Sequence, residues 1–299
     1  MPRLPTVTHP QSWVVPEQLR KLDWTVHATV RKLESQKATT LASIGVKLTQ
    51  RDWDNEEALR SSIAGCDKVF LCLMSTVDDF DRERRHAVKI VRIAKAAGVK
   101  QVVTSTSLGV SQIDAADPLL KPSLLQELLV VKKAVEQAAL DGEFESWTFL
   151  RPAYFMTNFL KPNIDNYSDI VSEKIWKSAM TPDTKIGFID PHDIGQFAIA
   201  AFKDPKGFKN RSLGLVSELL TPQEAMDRLG KAMGSPIKAT FMTDEEIAAA
   251  HPMTVLFRME KSMRNMSDYV DLEELGKIVP LTSFSEFLDR EQGRVKKLT

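Results

Sequence analysis

The segment Ser146–Leu160 carries side chains of the types that line a ligand-binding edge. It opens with an apolar run, Trp147–Leu150, that predicts a strand, and this strand ends at Arg151-Pro152 because proline has no N–H for a sheet ladder. A phenol, an aromatic ring and an amide follow at once, from Tyr154, Phe155 and Asn158. Such an ending is typical of the carboxyl edge of a doubly wound sheet, where these folds bind ligands. The alternative is an ordinary surface loop with buried aromatic side chains.

Hydroxyl groups end a second predicted strand, Gln101–Thr104. Thr104 and Ser105 stand at its carboxyl end, where a hydroxyl could polarise a substrate carbonyl. His192 lies at a strand-to-helix junction and could act in catalysis or in structural hydrogen bonding. The other histidines and the two cysteines are not spaced as ligands of a metal ion, so we predict no metal site.

Strands and helices alternate along the chain, which indicates βαβ units and a parallel sheet. The predicted strands are Val26–Arg31, Val46–Thr49, Lys68–Leu73, Gln101–Thr104, Trp147–Leu150, Asp183–Ile189, Ser212–Val216 and Lys238–Phe241. The predicted helices are Trp13–Leu22 with Ser12 as its N-cap, Lys37–Ile44, Asn55–Ala64, Arg84–Ala97, Ser123–Leu140, Ile194–Phe202 capped by Asp193, and Gln223–Met233. Met1–Val7 contains two prolines and is a poor first strand. The fold class is therefore α/β, with a doubly wound parallel sheet of the Rossmann type.

Composition narrows the possible partners and compartment. The 299 residues are 43% hydrophobic and 27% charged, as in a globular protein, and 40 basic side chains balance 40 acidic ones, so nothing marks a nucleic-acid or anionic-membrane binder. Cys66 and Cys72 lie in or beside an apolar run, which suits buried thiols in a reducing compartment. No apolar segment reaches the roughly 18 residues of a membrane span. We expect a cytoplasmic monomer or homodimer with a small-molecule substrate.

The turn after the first strand lacks glycine. A dinucleotide-binding sheet usually has a Gly-rich turn there, because only glycine lets backbone amides close on a pyrophosphate. In this chain the turn should fall within Thr6–Trp13, and the first glycine is Gly45. Three explanations stay open: the cofactor binds loosely, it does not bind, or a true first strand and glycine loop lie upstream of the given sequence.

The order of elements and several motifs resemble the NmrA-like family of atypical short-chain dehydrogenases. The most specific motif is LRPAYFMTN at Leu150–Asn158, and AKAAGVKQVV at Ala94–Val103 and the helix segment Lys133–Glu136 support it. The resemblance covers nearly the whole chain from about residue 12. It implies an NAD(P)-binding core in residues 1–150 and a substrate-side region in residues 151–299, interleaved with the core in one domain. Members of this family are NAD(P)-dependent reductases, many in secondary-metabolite pathways, or redox-sensing regulators that bind the dinucleotide without turning it over.

The resemblance also implies roles for individual residues. Arg31, with Lys32 beside it, would face the 2′-phosphate of NADP, and an arginine suits a phosphate through its planar fork of donors. Lys133 would contact the ribose or the nicotinamide. Further contacts to the cofactor or to the reacting carbonyl are implied for Thr104, Ser105, Tyr154, Phe155 and Asn158.

One departure from ordinary short-chain dehydrogenases concerns the proton donor. Those enzymes carry a tyrosine four residues before their active-site lysine. The resemblance places that lysine at Lys133, so Leu129 stands at the position of the tyrosine. Tyr154 is our candidate for the acid, on the hypothesis that a nearby lysine lowers the pKa of its phenol. The sequence thus predicts an NADP(H)-dependent reductase of a small carbonyl or enone. The alternatives are a non-catalytic NADP sensor and a cofactor-free isomerase or cyclase on the same fold.

Overall fold

A computed structural model describes residues 3–6, 10–30, 32–50, 53–74, 79–120, 123–249 and 260–298. The chain forms two compact units. The first comprises Met1–Val110, Glu127–Arg151 and Ile194–Leu213, and the second comprises Ser111–Gln126, Pro152–Asp193 and Gly214–Thr299. Within the described ranges, every helix is too short or too polar to cross a bilayer.

A seven-stranded sheet organises the first unit. Its strands are β1 (Arg3–Thr6), β2 (Thr25–Val30), β3 (Lys47–Gln50), β4 (Lys68–Leu71), β5 (Gln101–Ser105), β6 (Ser146–Pro152) and β10 (Arg211–Leu215). They lie in the order β10-β6-β5-β4-β1-β2-β3, and the pairs from β3 to β6 are parallel. The prediction of an α/β fold with a doubly wound parallel sheet is confirmed.

The helices of this unit follow the apolar pattern of the sequence. They are α1 (Pro10–Arg20), α2 (Gln36–Ser43), α3 (Glu56–Ile63), α4 (Asp81–Ala96), α5 (Gly109–Asp114), α6 (Leu124–Asp141) and α8 (Pro191–Lys203), of which α5, α6 and α8 each have an end in the second unit. Ser35 caps α2 by accepting from the Ala38 N–H, and Asn55 caps α3. Ile90 on α4 and Val135 on α6 are buried in one core with Leu71 and Phe149 of the sheet. Each such side chain contributes about 1.5 to 3 kcal/mol through removal from water.

The second unit has smaller sheets around an aromatic core. Its strands are β7 (Tyr154–Phe155), β8 (Ile175–Ser178), β9 (Ile186–Ile189), β11 (Glu218–Leu220) and β12 (Lys238–Phe241), ordered β11-β9-β7 and β12-β8. Its helices are α7 (Ser168–Ser172), α9 (Pro222–Met233), α10 (Asp244–Ala249), α11 (Leu272–Ile278), α12 (Phe284–Arg290) and α13 (Gln292–Val295). The core includes Phe159, Trp176, Phe188 and Phe284, each at most 1% exposed. The predicted helix after Thr221-Pro222 is confirmed, with a capping box at Thr221 and a left-handed Gly234 at its end.

Three sequence-based expectations about local structure are wrong. Residues 3–6 do form a strand despite the prolines, since β1 pairs with β2 over four positions. Ser12 lies inside α1, which begins at Pro10, so it is not the N-cap. Asp193 is the third residue of α8, and Asp190 instead accepts a hydrogen bond from the His192 N–H at the start of that helix.

Candidate functional site

The order of the strands defines the candidate ligand-binding edge in the first unit. It reverses between β1 and β4, and doubly wound folds bind ligands at the carboxyl ends of strands at such a point. Strand β1 ends at Thr6 and α1 begins at Pro10, so a helix N-terminus follows β1 after three residues. The backbone N–H groups of a first helical turn are suited to an anion. Arg31 and the turn residues 7–9 lie outside the described ranges.

Lys32 is an exposed cation near the carboxyl end of β2. Its carbonyl oxygen accepts a 3.0 Å hydrogen bond from the hydroxyl of Ser35, the residue that caps α2. The backbone from Lys32 to the start of α2 is therefore fixed, while the lysine side chain reaches solvent. This is a position from which it could contact a phosphate at the sheet edge.

Thr104 and Ser105 are both enclosed by the protein. Thr104 is fully buried, and its hydroxyl has no hydrogen-bond partner among the described residues. Ser105 is 3% exposed, and its hydroxyl hydrogen-bonds to the Cys72 thiol. Burial raises the pKa of that thiol to about 12, so Cys72 is an unreactive core residue.

The two adjacent lysines of α6 have different environments. Lys132 is largely buried and donates 2.6 Å to Oε1 of Glu83 and 2.9 Å to the carbonyl oxygen of Leu73, just beyond β4. Lys133 is exposed. Because neighbouring helical residues point about 100° apart, only one of the two can face the core. Lys132 thus ties α6 to α4 and to the end of β4, and this tie fixes Lys133 at the level of the carboxyl edge.

A buried ion pair lies at the carboxyl ends of β5 and β6. Nε and Nη2 of Arg151 donate to the two carboxylate oxygens of Glu136 at 3.0 and 2.7 Å, and the Thr106 hydroxyl donates to Glu136 at 2.6 Å. Both side chains of the ion pair are at most 10% exposed. The bidentate geometry makes this a strong, charge-assisted contact that joins α6 to both strands.

Leu129 lies on α6, four residues before Lys133. It is 4% exposed and packs against Gly109, where an added Cβ would lie 2.7 Å from either methyl carbon of the leucine. The position is therefore filled by apolar contact, with no group that could transfer a proton.

Tyr154, Phe155 and Asn158 lie together in the second unit, in β7 and the 3₁₀ turn that follows. The Tyr154 hydroxyl donates to the hydroxyl of Tyr167, and Asn158 hydrogen-bonds to the same phenol. Although part of the tyrosine is exposed, its hydroxyl is enclosed, and burial raises the pKa of Tyr154 well above its usual value. The expected lowering of this pKa by a lysine is wrong in direction. The hydrogen bond to Tyr167 also weighs against a proton transfer to substrate.

Tyr154→Phe is therefore expected to cost about 1 kcal/mol of stability, from the lost hydrogen bond, and to change turnover only a few-fold. Urea unfolding and steady-state rates of the purified variant measure the two effects. Tyr167→Phe is the matched control, since it removes the other half of the same hydrogen bond. A large fall in turnover for Tyr154→Phe alone would restore Tyr154 as the proton donor.

Glu260 is a buried carboxylate near this tyrosine pair. It is 1% exposed and accepts hydrogen bonds from Trp176 Nε1 at 3.2 Å, the Ser178 hydroxyl at 3.0 Å and the Ala179 N–H at 2.8 Å. Burial raises its pKa to about 7, even though the three donors oppose that rise. The group was not singled out from the sequence, because an isolated glutamate gives no sign of its burial.

The contribution of Glu260 to stability is expected to fall as the pH rises from about 4.5 to about 7, because the folded state holds the Glu260 proton more tightly than the unfolded chain does. The stabilisation from Glu260 is fully present below the pKa of this group in the unfolded chain, and it is lost as the pH rises through the pKa in the folded state. Its size is at most about 3 kcal/mol. Urea unfolding across this range should show the effect in the wild type and lose it in Glu260→Gln. An identical pH dependence in both proteins would contradict the assignment.

His192 is exposed at the start of α8, with Nδ1 3.8 Å from a carboxylate oxygen of Asp193. Asp193 itself is buried and accepts from the Ser217 hydroxyl at 2.6 Å and from the N–H and hydroxyl of Thr282 at 2.8 Å each. These contacts join α8 to two other segments of the second unit. Within the described residues, no cluster of three His, Cys, Asp or Glu side chains could hold a metal ion.

These features define the class: an α/β protein with a doubly wound sheet and a helix N-terminus at its switch point. The sequence profile of the NmrA-like family matches residues 9–289, and the chain belongs to this family. It is similar to an NmrA-like family domain-containing protein of Dictyostelium discoideum, at 23% identity over 287 residues, 93% of this chain and 92% of that protein.

Two of the solved structures that share the fold differ in the activity their names describe. One is an NADPH-dependent quinone oxidoreductase from Escherichia coli, with a TM-score of 0.72, 19% identity and coverage of 97% of this chain and 99% of that one. The other is NmrA, a negative transcriptional regulator, in complex with NADP, with a TM-score of 0.74, 17% identity and coverage of 96% and 94%. The same fold therefore occurs in a reductase and in a regulator.

Proposed function

We propose that this protein is an NADP(H)-dependent oxidoreductase that reduces an enone or a similarly conjugated carbonyl compound. The observation that carries the proposal is the strand order, which puts the turn from β1 into α1 at the switch point of the sheet. The family supports the same reading. A role in a secondary-metabolite pathway is proposed from the family resemblance alone.

The residues present fit a nicotinamide dinucleotide in part. The sequence Thr6–Trp13 has no glycine, and Pro10 as the first residue of α1 removes one of the first-turn N–H groups that could face an anion, so the N–H groups of the next residues would have to bind the pyrophosphate. Exposed Lys32, with Arg31 beside it in sequence, would hold the 2′-phosphate, and exposed Lys133 would bind ribose hydroxyls. Roles for Phe155 and Asn158 on the nicotinamide side are proposed from the family resemblance alone. When bound, the cofactor supplies the hydride.

The lack of an available proton donor at Leu129 and Tyr154 favours a conjugated substrate. Reduction of an isolated ketone leaves an alkoxide, a strong base that needs a proton from the enzyme as it forms. Hydride addition to an enone leaves an enolate, whose charge is delocalised and which can take its proton from water. Leu129 has no proton to give, and the phenol of Tyr154 is already bonded to Tyr167. We therefore propose that the residues of this chain bind and orient the cofactor and the substrate.

The test is a matched pair of substrates, cyclohexenone and cyclohexanone, assayed with the full chain by the loss of NADPH absorbance. We expect reduction of the enone to be at least about 100-fold faster, the size of a typical general-acid contribution. Equal rates would contradict the substrate class. NADPH binding without turnover of any conjugated carbonyl compound would contradict the oxidoreductase proposal.

A second candidate function is a non-catalytic dinucleotide sensor. Leu129 favours it, because the position of the catalytic tyrosine has become part of the apolar core. The fold is shared with a transcriptional regulator that was solved with NADP. This candidate predicts NADPH binding without turnover.

A further inference from the structure

A cavity of about 230 Å³ lies within the second unit. Leu119 and Leu120, with Leu125 in the first turn of α6, form one wall, and Ile247 and Ala248 of α10 form the other. The lining is mainly apolar. An apolar cavity of about 150 Å³ is enough for benzene, so this one, which is open to solvent, has room for a substituted single ring.

Polar groups are confined to a few positions of the lining: Ser123, Asp244, Lys261 and Ser262. Lys261 donates to Asp244 at 3.0 Å, and Arg264 shares the same carboxylate at 3.2 Å. An ammonium has three N–H donors, so Lys261 can bond a ligand oxygen as well as Asp244. Apolar walls with a few convergent donors are the usual composition of a small-molecule site.

Buried hydrogen bonds fix the positions of the segments that line the cavity. Asp117, 5% exposed, accepts from Asn265 at 2.8 Å, from Tyr269 at 2.7 Å and from the Leu119 N–H at 2.8 Å. Gln112 donates 2.7 Å to the Ser262 carbonyl oxygen. Glu260, directly before Lys261, is fixed by the three donors described above. Collapse of the cavity would break such bonds and leave buried polar groups unpaired, which costs about 1 to 3 kcal/mol for each group.

We propose that this cavity is a preformed binding site for a single-ring molecule that carries a carbonyl or another hydrogen-bond acceptor. The apolar walls would take the ring, and Lys261 would donate to the acceptor. The site lies wholly within the second unit and needs no dinucleotide, so its occupation can be measured independently of the proposed function.

The probes are para-fluoroacetophenone, which has the acceptor, and para-fluorotoluene, which lacks it. Fluorine NMR titration of the full chain, without cofactor, is expected to show saturable binding of the ketone in the millimolar range or tighter, as suits about ten heavy atoms. The toluene should bind at least several-fold more weakly. No saturable binding of the ketone, or equal affinity for both probes, would overturn the proposal.

Ala248→Phe is expected to fill the mouth of the cavity and weaken the ketone's binding at least about tenfold. Ala249→Phe is the matched control: it is the next residue of α10, is also exposed and lies outside the lining, and should leave binding unchanged. Both alanines are exposed, so neither variant disturbs the core. Unchanged binding in Ala248→Phe, or an equal loss in both variants, would show that the ketone binds elsewhere.

Discussion

Glu136→Gln is expected to lower the free energy of unfolding by about 3 to 5 kcal/mol. The change keeps the shape of the side chain but removes the charge that Arg151 pairs with through two hydrogen bonds. A buried guanidinium without its carboxylate bears the cost of its lost hydration, which is the main source of the destabilisation. Urea unfolding monitored by circular dichroism measures it.

The control for this prediction is Glu273→Gln, which breaks an exposed pair with Lys277 on α11 and should change stability little. The double variant Glu136→Gln/Arg151→Met removes both charges. It should be markedly more stable than Glu136→Gln alone, since the unpaired charge is gone. If the single and double variants are equally unstable, the ion pair is not the cause of the loss.

Phe159→Ala is expected to destabilise the protein by about 3 to 5 kcal/mol. The ring is fully buried, with ring centroids of Trp176 at 5.4 Å, Phe284 at 5.7 Å and Phe188 at 5.9 Å. Truncation would leave a cavity where aromatic rings from three segments meet. Chemical unfolding gives the loss in free energy.

Phe155→Ala is the informative control, because Phe155 lies four residues earlier in the same stretch and is partly exposed. We expect a smaller loss of stability than for Phe159→Ala and, from the role proposed for Phe155, a weaker affinity for NADPH. The opposite ranking of the two stability losses would show that the stretch packs differently. Comparison of the two variants thus distinguishes a residue of Ser146–Leu160 that stabilises the core from one that is proposed to bind the cofactor.

The sequence was sufficient for the longer helices and most strands of the large sheet, because apolar runs such as Lys68–Leu71 and turn glycines such as Gly98 report local structure directly. The prediction for β1 was wrong because the two prolines argue against a strand and the four-residue segment is too short to show an alternating pattern. This strand is stabilised by its pairing with β2. Short strands such as β7 were missed because they depend on partners far along the chain.

The site could be predicted only in outline. Sequence placed a lysine pair on α6, but which of the two points inward depends on Glu83, 49 residues away. The brace between Glu136 and Arg151 and the burial of Glu260 are likewise tertiary contacts that no local pattern reveals. The role of Tyr154 was inferred from its chemistry, whereas Tyr167 and burial determine the state of its phenol.

Isothermal titration of the full chain with NADPH tests the central proposal most directly. We predict saturable binding at a single site, weakened at least several-fold by Lys133→Ala and little changed by Lys231→Ala, a lysine of α9 in the second unit. NADH should bind more weakly than NADPH because it lacks the 2′-phosphate. Absence of any binding at about 1 mM NADPH would contradict the account, since it would leave the switch point of this sheet without the ligand proposed for it.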